Sequence, residues 1–484
     1  MMFLKRPKKV TENKWIIIVS LIVFALIFLF SPAEPMLYDD ALYADIAKNL
    51  LKNGCFCSNF QVQANTAPMF PLLEAGFMLV FGDNFIKPLL AFIAAFALLS
   101  SYVLILKISN SKKTALFSSL FFFSTPLVAY NSLLALMDML FSGLVFLSIW
   151  SFLKLTENGT KANILACSAL TSVTLMTRFT GYLLFPIFIL FFLLQRRKLR
   201  IGLKPVLALL VLVVAFTLPW SIWRFGLASQ EIKIAGELIS GMGYGHLVFR
   251  LESFFYNGDP VNMMPLSIDV NVPIQLVNFV RILATLLAYV TPLMTLVFSY
   301  FLTKRKSFKK NKYDNFLIIW FLAFFVFHII GFSYFGARYA IAFALPIVFV
   351  FTRFIETNMQ KRRILAVSLI ALQILSLIGI SYLVFRLNLN ANDTQIFEQA
   401  GVWIKENTPL DSKVLPFGAP PGALIYYGER KVVGANGTTP NILVRSNFGY
   451  STSIDQYMSD SNEKFVQVQE FSDPKYYVKI YQRV

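Results

Sequence analysis

The feature that most constrains this chain is a series of long apolar runs separated by short basic loops. Eleven such runs can be read, at residues 15–30, 88–106, 114–130, 133–153, 164–178, 182–194, 205–222, 278–302, 315–332, 339–354 and 364–385. A helix that crosses the hydrocarbon core of a bilayer needs about 20 apolar residues, so several runs are at the short end. The fifth and sixth are the shortest pair and would also suit a shallow hairpin. Hydrophobic residues make up 57% of the 484 and charged residues only 14%, against about 25% charged in a soluble domain. The expected fold is therefore an α-helical integral membrane protein with about eleven transmembrane helices, multi-pass in the cell membrane.

Charge placement gives this fold a direction. With the N-terminus inside, the inner segments hold 25 Lys and Arg, the outer loops nine, and the tail ten. Every second short loop is basic, which predicts a cytoplasmic N-terminus and, with eleven spans, an extracytoplasmic C-terminus. The net charge of +18 then reflects topology and contacts with membrane lipids, and no nucleic-acid partner is implied. The first run lacks a small-residue cleavage site at Ser31-Pro32-Ala33-Glu34 and reads as a retained helix. Three Cys, two of them at Cys55 and Cys57, fit neither a disulfide framework nor a zinc site, and a pairing of Cys55 with Cys57 alone stays open. The two His, His246 and His328, are far apart in sequence, which argues against a zinc enzyme of the HExxH type but leaves a single-His role open.

Two parts follow. Residues 1–385 form the transmembrane unit, with long outer loops at 31–87 and 223–277. Residues 386–484 read as a small extracytoplasmic α/β domain: a helix at 395–407, strands at 413–417 and 431–433 around a short helix at 422–427, and alternating segments at 465–471 and 476–481 that suit an antiparallel pair.

Unusual charges gather on the outer side. Tyr38-Asp39-Asp40-Ala41-Leu42-Tyr43 opens the first outer loop, and Leu42, Ile46 and Leu50 share one helix face, which predicts an amphipathic helix on the membrane surface. Helix capping also favours Asp at such a start. Asp138 stands in Leu136-Met137-Asp138-Met139, read as one to two turns inside an apolar helix, where an acid is costly and suggests function. Arg178 and Arg338 fall at outer ends of runs, where the topology rule disfavours them. They suit an anion such as a lipid phosphate, or snorkelling to headgroups.

In order and in side, these motifs resemble the C-type glycosyltransferase superfamily, in the branch of protein O-mannosyltransferases and the lipid A aminoarabinose transferase. Asp39-Asp40-Ala41-Leu42-Tyr43-Ala44 is similar to that branch's Asp-Glu-x-x-Tyr-Ala motif. Ala135-Leu136-Met137-Asp138 resembles its second Asp motif, and Arg338-Tyr339 through Leu345-Pro346 its Arg-Tyr…Leu-Pro segment. Pro68-Met69-Phe70-Pro71 with Phe81-Gly82-Asp83-Asn84 resembles the first-loop stretch, and Trp403-Ile404-Lys405-Glu406-Asn407 the start of the soluble domain. One departure is plain: the branch's Lys-Pro-Pro is replaced by Asn65-Thr66-Ala67-Pro68, without Lys.

The resemblance implies transfer of a sugar, with inversion, from a polyprenyl- or dolichyl-phosphate donor to a protein, lipid or glycan acceptor. Catalytic positions fall on Asp39, Asp40 and Asp138, with Asp39 as base. Donor phosphate binding falls to Arg338, Arg178 or Lys87, and pocket positions to Tyr38, Tyr43, Tyr339 and His246. A lipid-phosphate leaving group needs no general acid, so no cofactor is required. Two alternatives stay open: a divalent cation held by Asp39, Asp40 and Asp138, and a transporter or flippase for a lipid-linked or anionic substrate.

Overall fold

The computed structural model describes residues 14–31, 39–59, 61–63, 66–134, 136–196, 201–227, 244–246, 271–304, 308, 311–330, 337–361, 363–388, 395–417, 419, 421–433, 440–446, 454, 457–458, 464–472 and 477–484. Tyr38 and most of the 223–277 loop lie outside the described residues.

Helix α1 (Lys14–Phe30) leads to α2 (Asp39–Asn53) and to a two-stranded hairpin of β1 (Cys57–Ser58) and β2 (Gln61–Val62), then to α3 (Met69–Phe81) and α4 (Ile86–Ser109). There follow α5 (Lys112–Ser124), α6 (Pro126–Asn131), α7 (Met137–Glu157), α8 (Lys161–Thr177), α9 (Leu184–Gln195) and α10 (Leu203–Leu227). A short pairing of β3 (Tyr244–His246) with β4 (Asn271–Pro273) precedes α11 (Ile274–Thr285), α12 (Pro292–Thr303), α13 (Asp314–Ile330), α14 (Ile341–Lys361) and α15 (Arg363–Asn388).

Among the described residues four helices are long and apolar enough to cross a bilayer, five if one bent pair is a single span. Apolar segments 15–30, 179–195, 314–330 and 363–375 are helical but shorter. The Met137–Glu157 window is 83% buried and forms the centre of the bundle, whereas Leu203–Trp223, at 17%, turns its side chains outward. Exposed Leu21, Leu29 and Phe30 on α1 likewise form an apolar surface suited to lipid.

Three sequence expectations need correction. Run 114–130 is not one helix: Thr125 is extended and caps α6, because Pro126 has no N–H to continue α5. Run 278–302 is broken by 120° between two helices. A π-helical turn (Leu286–Val290) ends at Thr291, whose φ of 100° is left-handed, and Pro292 starts the next helix. Run 133–153 becomes helical only at Met137, after the extended Leu136. Asp138 is therefore in the first turn of α7, where the exposed N–H groups and the helix dipole favour a carboxylate. It is not set one to two turns inside.

Aromatic packing fills the bundle. Phe152 of α7 stacks on Phe188 of α9 at 4.0 Å, and Trp320 of α13 meets Phe146 edge-on at 5.9 Å. Where α4 crosses α7, Gly143 lets the backbones approach: a Cβ there would lie 2.7 Å from the Phe96 ring and 3.2 Å from the Ala97 Cα. Ser148 and Thr174 share a hydrogen bond of 2.8 Å between α7 and α8.

The C-terminal part has α16 (Gln395–Asn407), β5 (Lys413–Phe417), α17 (Pro421–Gly428), β6 (Lys431–Val432), β7 (Ile442–Ser446), β8 (Phe465–Ser472) and β9 (Tyr477–Arg483). The sheet order is β6-β5-β7-β9-β8, with β5 parallel to both neighbours and β9 antiparallel to β7 and β8. Ile396, Phe397, Ala400 and Ile404 of α16 pack on Val414, Ile442, Val444, Val478 and Ile480 of the sheet. This unit is seated on α2. Lys48 pairs with Glu429, and its ammonium lies 5.0 Å from the Tyr426 ring centre. Asn59 donates to the Val432 carbonyl at 2.8 Å and accepts from the Val432 N–H at 2.7 Å.

One further correction concerns the cysteines: Cys55 and Cys57 are joined by a disulfide, and Cys167 is the buried free thiol.

Candidate active site

Four charged side chains from four parts of the chain converge at one end of the bundle. Asp39 begins α2, Asp138 begins α7, Arg178 caps the C-terminus of α8, and Arg338 lies in the 3₁₀ turn (Ala337–Ala340) before α14. Each carboxylate is thus at a helix start, where the dipole stabilises its charge. Arg178 ends α8 for the converse reason.

Arginine and aspartate alternate through the cluster. Arg178 Nη1 pairs with Asp138 Oδ1. Arg338 Nη2 donates to Asp39 Oδ2 at 2.7 Å, and its Nε lies 3.7 Å from Asp138 Oδ2. Tyr339 lies between the guanidinium groups, its ring centre 4.3 Å from Arg178 and 5.6 Å from Arg338. The two acids differ in one decisive way: the Asp138 side chain is 5% exposed and the Asp39 side chain 43%. Asp138 is a buried counter-ion that fixes both arginines. Asp39 is open to an incoming molecule.

A small cavity of about 10 Å³, the room of about one water, is lined by Asp138, Arg178, Arg338 and Tyr339 together with Ser142, Thr180, Phe324 and His328. The Thr180 hydroxyl is buried with no hydrogen-bond partner among the described residues. His328 is fixed through Nδ1, 2.7 Å from the Phe324 carbonyl, and its ring lies 5.9 Å from that of Tyr339. A carbonyl can only accept, so Nδ1 carries the proton. Sequence reasoning passed over Thr180 and His328. The signal was Thr180 two residues beyond Arg178 and a lone His near the end of an apolar run.

The remaining candidates are distributed as follows. Asp40 is buried, with Oδ1 accepting from the Ala41 N–H at 3.0 Å. Tyr43 is buried edge-on to Phe70 at 5.3 Å, and burial, then the charge of Asp39, push its phenol up. Lys87 is in the first turn of α4, with no hydrogen bond or ion pair to the cluster among the described residues. His246 lies on β3 opposite Asn271. Asp39, Asp138, Arg178, Arg338 and Tyr339 are thus brought together. Among the described residues no three His, Cys, Asp or Glu side chains gather as metal ligands. A second carboxyl also appears beside Asp40: Glu74 of α3 is fully buried with neither oxygen hydrogen-bonded among the described residues, and burial, then the Asp40 charge, push its pKa well up.

The helical bundle thus carries two arginines and two aspartates, paired with one another, at one end. Residues 65–223 match the family model described as "Dolichyl-phosphate-mannose-protein mannosyltransferase". The fold is similar to ArnT from Cupriavidus metallidurans bound to undecaprenyl phosphate, with a TM-score of 0.65, 12% identity, and coverage of 97% of this chain and 98% of that one. It is also similar to the archaeal oligosaccharyltransferase AglB from Archaeoglobus fulgidus in complex with an inhibitory peptide and a dolichol-phosphate (TM-score 0.58, 11% identity, coverage 90% and 70%). A third likeness is to the arabinofuranosyltransferase AftD from Mycobacteria (TM-score 0.55, 11% identity, coverage 97% and 40%). No curated protein matches the sequence significantly. The family match thus covers residues 65–223, and the likeness to ArnT, AglB and AftD is one of fold.

Proposed function

We propose that this enzyme transfers a sugar from a polyprenyl- or dolichyl-phosphate donor to a hydroxyl or phosphate of a protein, lipid or glycan acceptor, on the extracytoplasmic side and with inversion. The observation that carries this reading is the division of labour within the cluster. The exposed Asp39 carboxylate is held by Arg338, and the buried Asp138 ties Arg338 to Arg178. In the reaction the acceptor oxygen attacks the anomeric carbon and its proton passes to Asp39. The bond from that carbon to the phosphate oxygen breaks, and its electron pair stays on the phosphate. The growing negative charge falls to Arg178 and Arg338, already oriented by Asp138, so little reorganisation is needed. In this reading Arg178 and Arg338 take over the phosphate from the branch's first-loop Lys, which this sequence lacks, and no cofactor is required. Lys87, Tyr38, Tyr43, Tyr339 and His246 keep their proposed donor and pocket roles.

The sidedness belongs to the same proposal. Eleven spans, an inner N-terminus and an outer C-terminal unit account for the alternating basic loops, and a disulfide in the first loop suits an oxidising outer face. Membranes supplied with a panel of labelled polyprenyl-phosphate sugars provide the test. The wild type is expected to transfer one of them. Asp39→Asn should lower turnover by about 10²–10⁴-fold, with unchanged elution and melting. Near-normal turnover in that variant would remove Asp39 as the base.

A further inference from the structure

A second cavity, of about 690 Å³, lies far from the cluster and is assigned no role by the reaction. Helix α7 measures the separation. Asp138 is in its first turn and its last residue, Glu157, binds Lys312 of the second cavity at 2.8 Å. Nineteen residues of helix rise about 28 Å, close to the thickness of a bilayer core. The second cavity is therefore at the opposite membrane face. The turn between α4 and α5 lines it, together with α5, α14, α15 and Asn311 and Lys312 just before α13.

The lining has two halves. Phe117, Phe349, Met359 and Ile370 make an apolar wall, and Phe117 and Met359 are exposed at 43% and 39%. Asn110 and Lys113 stand on the polar side. Most other charges there are already engaged. Lys312 binds Glu157, Arg353 binds Asp314 at 2.6 Å, and Glu356 accepts from the Thr114 hydroxyl at 2.8 and 2.9 Å. Lys113 has no ion pair among the described residues, only the Phe117 ring at 5.9 Å. Among the described residues that line the cavity, Lys113, Lys312 and Arg353 are basic and Glu356 is the one acid.

We infer that this cavity binds an anionic phospholipid of the cytoplasmic leaflet, with the headgroup phosphate at Lys113 and an acyl chain along Phe117, Met359 and Ile370. The volume is in the range of pockets that enclose a small ligand, and the basic rim and apolar wall match the two ends of such a lipid. The inference rests on the proposed orientation of the chain, but not on the identity of the sugar donor.

Native mass spectrometry of the full-length protein gives the test, with phosphatidylglycerol, phosphatidylcholine and soluble glycerol phosphate as probes. Phosphatidylglycerol is expected to be retained over phosphatidylcholine, and glycerol phosphate is expected not to compete. Lys113 is exposed, so Lys113→Gln should fold, and it should weaken phosphatidylglycerol binding about five-fold. Ile370→Trp, which fills the apolar wall, should reduce both phospholipids. Equal retention of the two lipids, full competition by glycerol phosphate, or no loss in Lys113→Gln would overturn the assignment. The leaflet is read separately. Lys113→Cys should react with an impermeant maleimide only in inside-out vesicles, and reaction from the outside would overturn the cytoplasmic placement. Neither readout depends on sugar transfer.

Discussion

Replacing Glu429 by Gln should loosen the C-terminal unit from the helix that carries the candidate base. Glu429 accepts from Lys48 of α2 and from Lys405 of α16 at 3.0 Å, with Lys52 at 4.0 Å. Partial burial opposes ionisation, but the hydrogen bonds from Lys48 and Lys405 outweigh it and bring the carboxyl from 4.5 down to about 2. Taken whole, that displacement is worth about 3 kcal/mol. The side chain is 29% exposed, so screening reduces the expected contribution to about 1–2 kcal/mol. The sign follows from the lowered pKa. The stabilisation is complete above about 4.5 and is lost as pH falls toward about 2. Hydrogen exchange of segments 48–59 and 421–433, measured in wild type and Glu429→Gln at each pH, reads this directly. At pH 7 the variant should exchange about 5–30-fold faster. The gap should shrink steadily below pH 4.5, because Gln does not titrate. Equal exchange at pH 7, or a gap that does not change with acidification, would refute the reasoning. Lys48 is nine residues from Asp39, about 13.5 Å along α2, so a loosened α2 should also lower transfer without abolishing it.

Two further outcomes test the packing. Gly143→Ala would press a methyl against Phe96 and the Ala97 backbone, and should cost about 1–3 kcal/mol, seen as a lower melting temperature in detergent. Asp314→Asn leaves Arg353 buried without its counter-charge and should cost about 3–5 kcal/mol. Replacing Asp314 and Arg353 together by Asn and Met should recover most of that loss in the same assay.

The sequence by itself determined the solvent and most of the helices. Runs such as 88–106 and 364–385 cannot be read otherwise, since residues this apolar over this length have only lipid or a protein core to enter. It also marked charges that the fold brings together, because Asp138, Arg178 and Arg338 break local rules of composition and topology, and such breaks are visible without a fold. Alternation in 465–471 and 476–481 marked the strands that pair as β8 and β9, while Ile442–Ser446, too short to show its period, passed unread. What only the tertiary structure decided depends on distance between segments remote in sequence. Arg338 reaches Asp39 across 299 positions, His328 and Thr180 reach one cavity, and Asp138 is a buried clamp while Asp39 is open. The break at Thr291 and the Cys55–Cys57 bond were likewise hidden, because backbone geometry settles them and apolar periodicity carries no record of it. Four charges were legible one at a time. Their joining into one cluster is a property of packing, because the pairing energy exists only when α2, α7, α8 and the turn before α14 bring them within hydrogen-bond reach.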